Sequence, residues 1–249
     1  MRMDKFLNNS IEEYLERLGS GAPTPGGGAA AALSSAQGAA LIMMVANHTI
    51  GKKKYAEFEE FNRDILEEAE VLMKRLADGI EKDAEAFDRV SEAYAMPRDF
   101  GGIVIDKVSE TIAMLRNEGY NVDEPDEEEG MTAEVMDQID AALADRRSAK
   151  IAEVSIEAAE APLAVMEDSI SALRLAATMP GRSNRNLLSD VYVAALSLYA
   201  GIQSANYNIE ANLPAIEKAD PACASSMRLR AAAILSEAEE IRCSLIDRD

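Results

Sequence analysis

The clearest candidate for acid–base chemistry is one aspartate inside a predicted apolar helix face. Apolar side chains that recur every three or four residues predict such a face. Here they are Leu66, Ala69, Met73, Leu76, Ile80, Phe87, Val90 and Tyr94. Asp83 replaces an apolar residue between Ile80 and Phe87, where its pKa should be raised by burial or lowered by a cationic or hydrogen-bonding partner. Asp83 is thus a candidate general acid or base, and the alternative is a structural ion pair between helices.

A second candidate is a glycine cluster at the start of an uncharged stretch. Residues 23–50 contain no Asp, Glu, Lys or Arg, although 28% of the chain is charged. Prolines and glycines followed by small residues predict a rigid loop that opens into a helix. Gly26, Gly27 and Gly28 leave the N–H groups at that helix start uncovered, where an anion or polar oxygen is favoured. The alternative is that the glycines only permit close packing of a buried helix.

Cationic and amide side chains form the remaining candidates. Lys52, Lys53 and Lys54 follow the uncharged helix, where they either complement its dipole or meet a carboxylate-bearing ligand. Residues 181–186 form a polar, basic loop, and the helix after it places Asn208 on its apolar face. A buried amide must be hydrogen-bonded, either to another helix or to a ligand.

Several kinds of chemistry are excluded by what the sequence lacks. The only histidine is His48, so one chain cannot build a His-based triad or a multi-histidine metal site. Cys223 and Cys243 lack the spacing of a disulfide framework or zinc site, and we expect no metal. GGGAAA only loosely fits a dinucleotide fingerprint, because no strand precedes it. Chemistry is left to carboxylates, lysines, amides and backbone N–H groups.

The composition favours an all-α protein. Segments rich in Ala, Leu, Glu and Met predict a bundle of long antiparallel helices around a small-residue-rich central helix, in a single domain over residues 1–249. With 25 basic and 45 acidic residues the formal charge is −20, which argues against nucleic acid as a partner. The uncharged run is long enough to span a bilayer, but its Ala, Gly and Ser content favours a buried helix and no membrane partner. The N-terminus lacks the apolar region of a signal peptide, so we expect a cytoplasmic protein.

Start and stop signals place the helices that would position these residues. A capping box at Ser10 and Glu13 begins the first helix, which Gly19 closes. A central helix is predicted to follow the glycine cluster and end near Gly51, and a later helix to carry Asp190 and Asn208. The other helices are predicted over residues 55–95, 104–115, 132–179 and 221–246. We expect a kink or junction at Pro162, and a turn bracketed by Pro214 and Pro221.

Five motifs in a fixed order carry a family resemblance: PTPGGGAAAALSSAQGAAL, GKKKY, DAEAF, SDVYVAAL and NIEANL. Together they resemble the formimidoyltransferase-cyclodeaminase family, in its stand-alone cyclodeaminase or methenyltetrahydrofolate cyclohydrolase form. The resemblance implies a cytoplasmic, all-helical homodimer with a tetrahydrofolate derivative as substrate and no permanently bound cofactor. It implies conversion of 5-formimidoyltetrahydrofolate to 5,10-methenyltetrahydrofolate with loss of ammonia, in histidine degradation and with a separate formimidoyltransferase as partner. The alternatives are interconversion of methenyl- and 10-formyltetrahydrofolate, or a catalytically silent helical scaffold.

The resemblance also implies roles for individual residues. The family's catalytic aspartate, just before A-E-A-F, falls on Asp83, and Gly26–Gly28 would shape the folate pocket. Asp190 or Asn208 would hold the pterin edge. The residues that would offer charge to the glutamate or polyglutamate tail are Lys52, Lys53, Lys54, Arg182 and Arg185. The polar helix entrance of the family is matched by Asn184, Asn186, Ser189 and Asp190.

The chain departs from the family pattern in four places. Ser183 stands where the family usually has glycine, His48 replaces an apolar residue, and Ala29 replaces a serine. The largest departure is an insertion at about 99–143, in what is normally a short connection. The insertion could cover the site, extend a dimer surface or redirect substrate choice.

Overall fold

The computed structural model describes residues 6–103, 105–125 and 130–246, and the prediction of an all-α fold is confirmed. Within these residues the chain forms α-helices and short 3-10 helices and no strand. The α-helices are α1 (Ile11–Leu18), α2 (Gly27–Asn47), α3 (Glu59–Ala95), α4 (Val108–Asn117), α5 (Ala133–Thr178), α6 (Leu188–Ala219) and α7 (Pro221–Ile246). The 3-10 helices are Phe6–Asn8, Lys53–Phe58, Phe100–Gly102, Ile105–Lys107 and Arg185–Leu187.

The chain divides into two compact units. The first combines Met1–Phe87 with Ile156–Asp249, and the second is Asp88–Ser155. The second unit has its own small core, in which Leu115 and Ile139 are fully buried. The predicted single domain with an insertion at 99–143 stays a prediction.

Small residues let α2 lie in the core of the first unit. A Cβ atom on Gly38 would lie 2.9 Å from the Ala194 carbonyl oxygen, and one on Gly201 would lie 3.1 Å from the Ala31 carbonyl oxygen. Residues early in α2 therefore meet residues late in α6, so the two helices are antiparallel and their backbones approach closely. By length and composition α2 alone among the described helices could cross a membrane, but 56% of its most apolar window is buried inside the protein.

Some sequence predictions about these helices were wrong. Pro162 lies inside α5, so no junction divides that helix, and a kink there stays a prediction. Pro214 lies inside α6, so the turn bracketed by Pro214 and Pro221 does not begin at Pro214 and is confined to the end of the bracket. α6 continues past Pro214 because Leu213 and Ile216 are fully buried, which stabilises its last turns. The only residue between α6 and α7 is Asp220. Phe87 and Tyr94 are exposed, so the apolar face of α3 does not keep the predicted line after Ile80.

Candidate functional site

The carboxylate of Asp83 lies against the first turn of α2. Its Oδ2 atom accepts a hydrogen bond of 2.9 Å from the backbone N–H of Ala29. This N–H is one of those that a helix start leaves without an intrahelical partner. Asp83 is only partly buried, yet burial raises the pKa of its carboxyl group, and the Ala29 hydrogen bond opposes that rise. No salt bridge to Asp83 occurs among the described residues, so the alternative of a structural ion pair receives no support.

The three predicted glycines differ in what the fold requires of them. A Cβ atom on Gly28 would lie 1.9 Å from Oδ1 of Asp83, so a side chain at position 28 would require the Asp83 carboxylate to move. Gly27, the first residue of α2, would make only an ordinary contact, 3.6 Å from Oδ1 of Asn208. Gly26 faces open space, since a Cβ atom there would have no neighbouring atom within 4 Å. Packing therefore explains Gly28, whereas Gly26 and Gly27 leave the helix start open to a ligand.

Asn208 is the second predicted residue that the fold brings to this end of α2. It lies late in α6, opposite Gly27, and is partly buried. Its Nδ2 atom donates a hydrogen bond of 2.9 Å to the Ser204 carbonyl oxygen. The Oδ1 atom accepts none from any described residue and remains available as an acceptor.

Sequence reasoning missed one member of this group, Tyr14 on α1. Its side chain is 7% exposed, and its hydroxyl group is buried with no hydrogen-bond partner among the described residues. Burial and the nearby negative charge of Asp83 both raise the pKa of the Tyr14 phenol. The only signal in the sequence was that Tyr14 is the sole aromatic residue of a short amphipathic helix, IEEYLERL.

The other predicted residues gather at the opposite end of α2. Arg182 and Asn184 belong to the loop after α5, which is anchored to residues 48–62 by one buried and two partly buried hydrogen bonds. These join Asn62 Nδ2 to the Arg182 carbonyl at 3.0 Å, the Asn184 N–H to Thr49 Oγ1 at 2.9 Å, and the Arg185 N–H to the Tyr55 hydroxyl at 2.9 Å. Ser183, the departure from the family glycine, donates to Asn62 Oδ1 at 2.7 Å. These hydrogen bonds hold the polar loop against residues 48–62, so the loop has a structural role.

Cations at this end point towards solvent. Lys52, Lys53 and Lys54 are exposed and follow the last turn of α2. Arg185 is exposed as well, whereas Arg182 stacks over the Phe61 ring at 5.3 Å. The three lysines fit the simple role of cations near a helix C-terminus, and Lys54 Nζ also lies over the Tyr55 ring at 5.5 Å. Arg185 begins the 3-10 helix that precedes α6.

Within one chain, the two groups of predicted residues do not form a single site. α2 has 21 residues, so its ends are about 30 Å apart. Asp190 lies in the first turn of α6, about 27 Å along that helix from Asn208. The structure brings together Asp83, the glycines, Asn208 and Tyr14, and it separates them from Lys52–Lys54 and the 181–190 region.

Among the described residues no three His, Cys, Asp or Glu side chains lie close enough together to hold a metal ion. The group around Asp83 has one carboxyl, one phenol, one amide and the uncovered N–H groups of a helix start. These are proton-transfer and hydrogen-bonding groups, so the arrangement is a candidate acid–base site on an all-α scaffold.

Comparison with known proteins identifies the family. The profile of the formiminotransferase-cyclodeaminase family matches residues 10–101 and 121–233, which together make up most of the chain. The protein belongs to this family. Residues 102–120, which the profile leaves out, contain α4 and lie inside the predicted insertion.

Individual relatives agree with that assignment. The chain is 36% identical over 210 residues to methenyltetrahydrofolate cyclohydrolase of Methylorubrum extorquens, covering 84% of this chain and 82% of that protein. It is 24% identical to formimidoyltransferase-cyclodeaminase of Sus scrofa over 98% of this chain, which spans only 37% of that longer protein. The crystal structure of formiminotetrahydrofolate cyclodeaminase from Thermotoga maritima matches with a TM-score of 0.71 at 24% identity, covering 97% of each chain, and so shares the fold.

Proposed function

We propose that this protein is a one-carbon tetrahydrofolate enzyme, with hydrolysis of 5,10-methenyltetrahydrofolate to the 10-formyl form as its foremost reaction. The observation that carries the proposal is the Asp83 carboxylate, partly buried against Gly28 and the Ala29 N–H. The 36% identity to a methenyltetrahydrofolate cyclohydrolase supports the choice of reaction. A tetrahydrofolate derivative is then the substrate, and no permanent cofactor is needed.

Asp83 has the properties that this hydrolysis requires. Water must lose a proton as its oxygen bonds to the methenyl carbon, and the electrons of the carbon–nitrogen double bond return to nitrogen. The ring-opening step then breaks the bond between this carbon and N5, and the departing N5 takes up a proton. The new hydroxyl group loses its own proton to solvent as it becomes the formyl carbonyl. A carboxyl group with a raised pKa can accept the first proton and supply the second.

A second candidate reaction is cyclodeamination of 5-formimidoyltetrahydrofolate. The family membership and the match to the Sus scrofa enzyme over 98% of this chain favour it. N10 would attack the formimidoyl carbon and lose a proton to Asp83, which would then protonate the departing ammonia. This reaction belongs to histidine degradation and would need a separate formimidoyltransferase to supply its substrate.

The helix start offers a place for the reacting part of the folate. Gly26 and Gly27 leave open space above the first N–H groups of α2. Beside them Asn208 presents its side-chain amide oxygen, Oδ1, which accepts no hydrogen bond from a described residue. An amide oxygen can accept from the N–H groups of a pterin edge. Asp83 would then face the one-carbon unit at the other side of Gly28.

We also propose that the protein acts as a homodimer through an uncharged face of α2 and α6. A groove between these helices is lined by Gln37, Ala40, Leu41, Met44, Val193 and Ser197. Beyond it, Leu196 is 46% exposed, and none of these residues is charged. Two copies that each carry a formal charge of −20 repel one another. An uncharged apolar face is therefore the surface at which they can associate with the lowest electrostatic cost. This face is the α2–α6 face.

A two-fold axis perpendicular to α2 would pair the two copies of this helix in antiparallel orientation. Each Asp83 end would then lie beside the lysine end of the other copy. Lys52–Lys54 and Arg185 of one subunit would offer charge to the glutamate tail of a folate bound at the other subunit. This arrangement reconciles the predicted tail-binding role with the separation of about 30 Å within one chain.

The cytoplasm, where reduced folates and thiols are kept, is the compartment that we propose. Cys223, which is partly buried, and Cys243, which is exposed, form no disulfide with any described residue. With its acidic net charge the protein is not expected to bind nucleic acid, and the burial of α2 argues for a core helix over a membrane span.

An absorbance assay for methenyltetrahydrofolate tests the proposal. The unsubstituted protein and Asp83→Asn are each given methenyltetrahydrofolate in one cuvette and 5-formimidoyltetrahydrofolate in another. Accelerated methenyl loss in the first identifies the hydrolase, methenyl formation in the second identifies the cyclodeaminase, and Asp83→Asn should lower either rate by at least about a hundredfold. Silence of the unsubstituted protein in both cuvettes would refute the proposal and favour a silent scaffold.

A further inference from the structure

The hydroxyl group of Tyr14 is a buried polar group near Asp83 that makes no hydrogen bond within the described part of the chain. The tyrosine is 7% exposed and packs in the main core, yet its oxygen has no hydrogen-bond partner among the described residues. A buried hydroxyl without a partner costs about 1–3 kcal/mol relative to a paired one. A phenylalanine ring would fill the same space without that cost, so the fold alone does not account for the hydroxyl.

The surrounding structure holds Tyr14 firmly in this position. A capping box at Ser10 and Glu13 fixes the start of α1. Arg17, one turn after Tyr14, donates from Nε to the Thr24 carbonyl oxygen at 3.3 Å, which ties α1 to the glycine-rich loop. The helix that carries Tyr14 is therefore held against the loop that opens α2.

A further contact ties the same segment to α3. The Leu7 N–H donates to Glu81 Oε1 at 3.1 Å, two residues before Asp83. Tyr14 is close enough to Asp83 for the carboxylate charge to act on the phenol, whose raised pKa keeps it neutral at physiological pH. A neutral phenol has one donor hydrogen and two acceptor lone pairs.

We propose that Tyr14 is a positioning residue of the Asp83 site, whose hydroxyl group holds the reacting water against the carboxylate. This inference rests on the proposed hydrolase function. The water donates one hydrogen to the Tyr14 oxygen and the other to Asp83, so its lone pair is directed at the methenyl carbon. When the oxygen–carbon bond forms, the carbon–nitrogen double bond gives its electron pair to nitrogen. The proton of the water passes to Asp83, and Tyr14 stays neutral.

Two substitutions that each remove one hydroxyl group test the inference. Tyr14→Phe removes the unpaired group. Tyr199→Phe is the matched control, because its hydroxyl group accepts from Gln203 Nε2 at 3.1 Å and bonds Glu239, and it lies on α6 outside the proposed site. For both variants the measurements are Tm, kcat, KM and the pH dependence of kcat for methenyltetrahydrofolate hydrolysis.

We expect opposite results for the two variants. Tyr14→Phe should keep or raise Tm, lower kcat about tenfold with little change in KM, and shift the acid limb of the pH profile upward. The limb shifts because the Asp83 carboxylate loses the water that stabilised its charged form. Tyr199→Phe should lower Tm and leave kcat and the pH profile unchanged.

Two results would overturn the inference, and they differ from failure of the proposed function. A Tyr14→Phe variant with the kcat and pH profile of the unsubstituted protein would show that the hydroxyl group does not act. A fall in Tm with an unmoved pH profile would show a structural role. Inactivity of the unsubstituted protein would refute the proposed function, and the role of Tyr14 with it.

Discussion

The carboxylate of Asp83 lies where a side chain at position 28 would begin, so its present position depends on Gly28. A Cβ atom at position 28 would lie 1.9 Å from Oδ1 and 2.5 Å from Cγ of the carboxylate. The other oxygen is bonded to the next residue of α2 through the Ala29 N–H. The position of the carboxylate and the absence of a side chain at the helix start are therefore one structural feature.

Gly28→Ala should displace the Asp83 side chain and destabilise the protein. The methyl group enters a space already filled, an overpacking that typically costs about 1–3 kcal/mol. Thermal unfolding of Gly28→Ala should show a clear fall in Tm. Gly26→Ala is the control for stability, because its methyl group would meet nothing within 4 Å. Equal Tm values for the two variants would contradict the packing role assigned to Gly28.

The raised pKa of Asp83 predicts how stability depends on pH. Because the folded pKa lies above the ordinary value of 3.8, the folded state holds the proton more tightly than the unfolded state. The free energy of unfolding therefore falls as pH rises from about 3.8 through the folded pKa of Asp83. Below both pKa values the effect is absent.

Asp83→Asn should remove that dependence. We expect the free energy of unfolding of Asp83→Asn minus that of the unsubstituted protein to grow as pH rises from about 4 to 7. Urea titrations of both proteins at several pH values measure this difference. A difference that is constant or falls with pH would mean that the carboxylate is stabilised in the fold, contrary to the burial described here.

The proposed dimer should depend on the uncharged α2–α6 face. Ala40→Asp and Val193→Asp are two separate variants, and each adds one carboxylate per subunit to the dimer interface. Because the two charges would be buried there, we expect either variant to dissociate at micromolar concentration. Light scattering after size-exclusion chromatography reports the mass directly. Leu229→Asp on α7, where the side chain is 70% exposed, is the matched control and should remain dimeric. Dimers in all three variants would place the interface elsewhere.

Mixed dimers test whether a site uses residues of two subunits. The mixed dimer combines one subunit with Asp83→Asn, which removes the carboxylate, and one subunit in which Lys52, Lys53 and Lys54 are all changed to Ala. The second variant by itself should bind folate polyglutamates poorly. If the lysines act across the interface, a mixed dimer has one site with both defects and one intact site. Activity with a polyglutamate substrate should then return to about half of the unsubstituted value per mixed dimer. If the lysines act within their own subunit, mixing restores nothing.

Local patterns in the sequence were sufficient for the helices and for Asp83. Helix periodicity depends on neighbours three and four residues apart, which is why the all-α fold, the capping box at Ser10 and the glycine-opened α2 could be predicted. Asp83 stood out because it broke an apolar pattern within one helix. Pro214 misled the prediction because burial of Leu213 and Ile216 outweighs the local cost of a proline in α6.

The grouping of residues was decided by tertiary structure alone. Asn208 reaches Gly27, and Asp190 does not, because α6 runs antiparallel to α2 and spans its whole length. Tyr14 gains its importance only from packing, since its sequence context is that of any short amphipathic helix. The sequence by itself determined which helices form and which carboxylate is unusual, because both depend on short-range spacing. Which residues surround that carboxylate depends on how the helices pack, over separations of up to about 180 residues that no local pattern records.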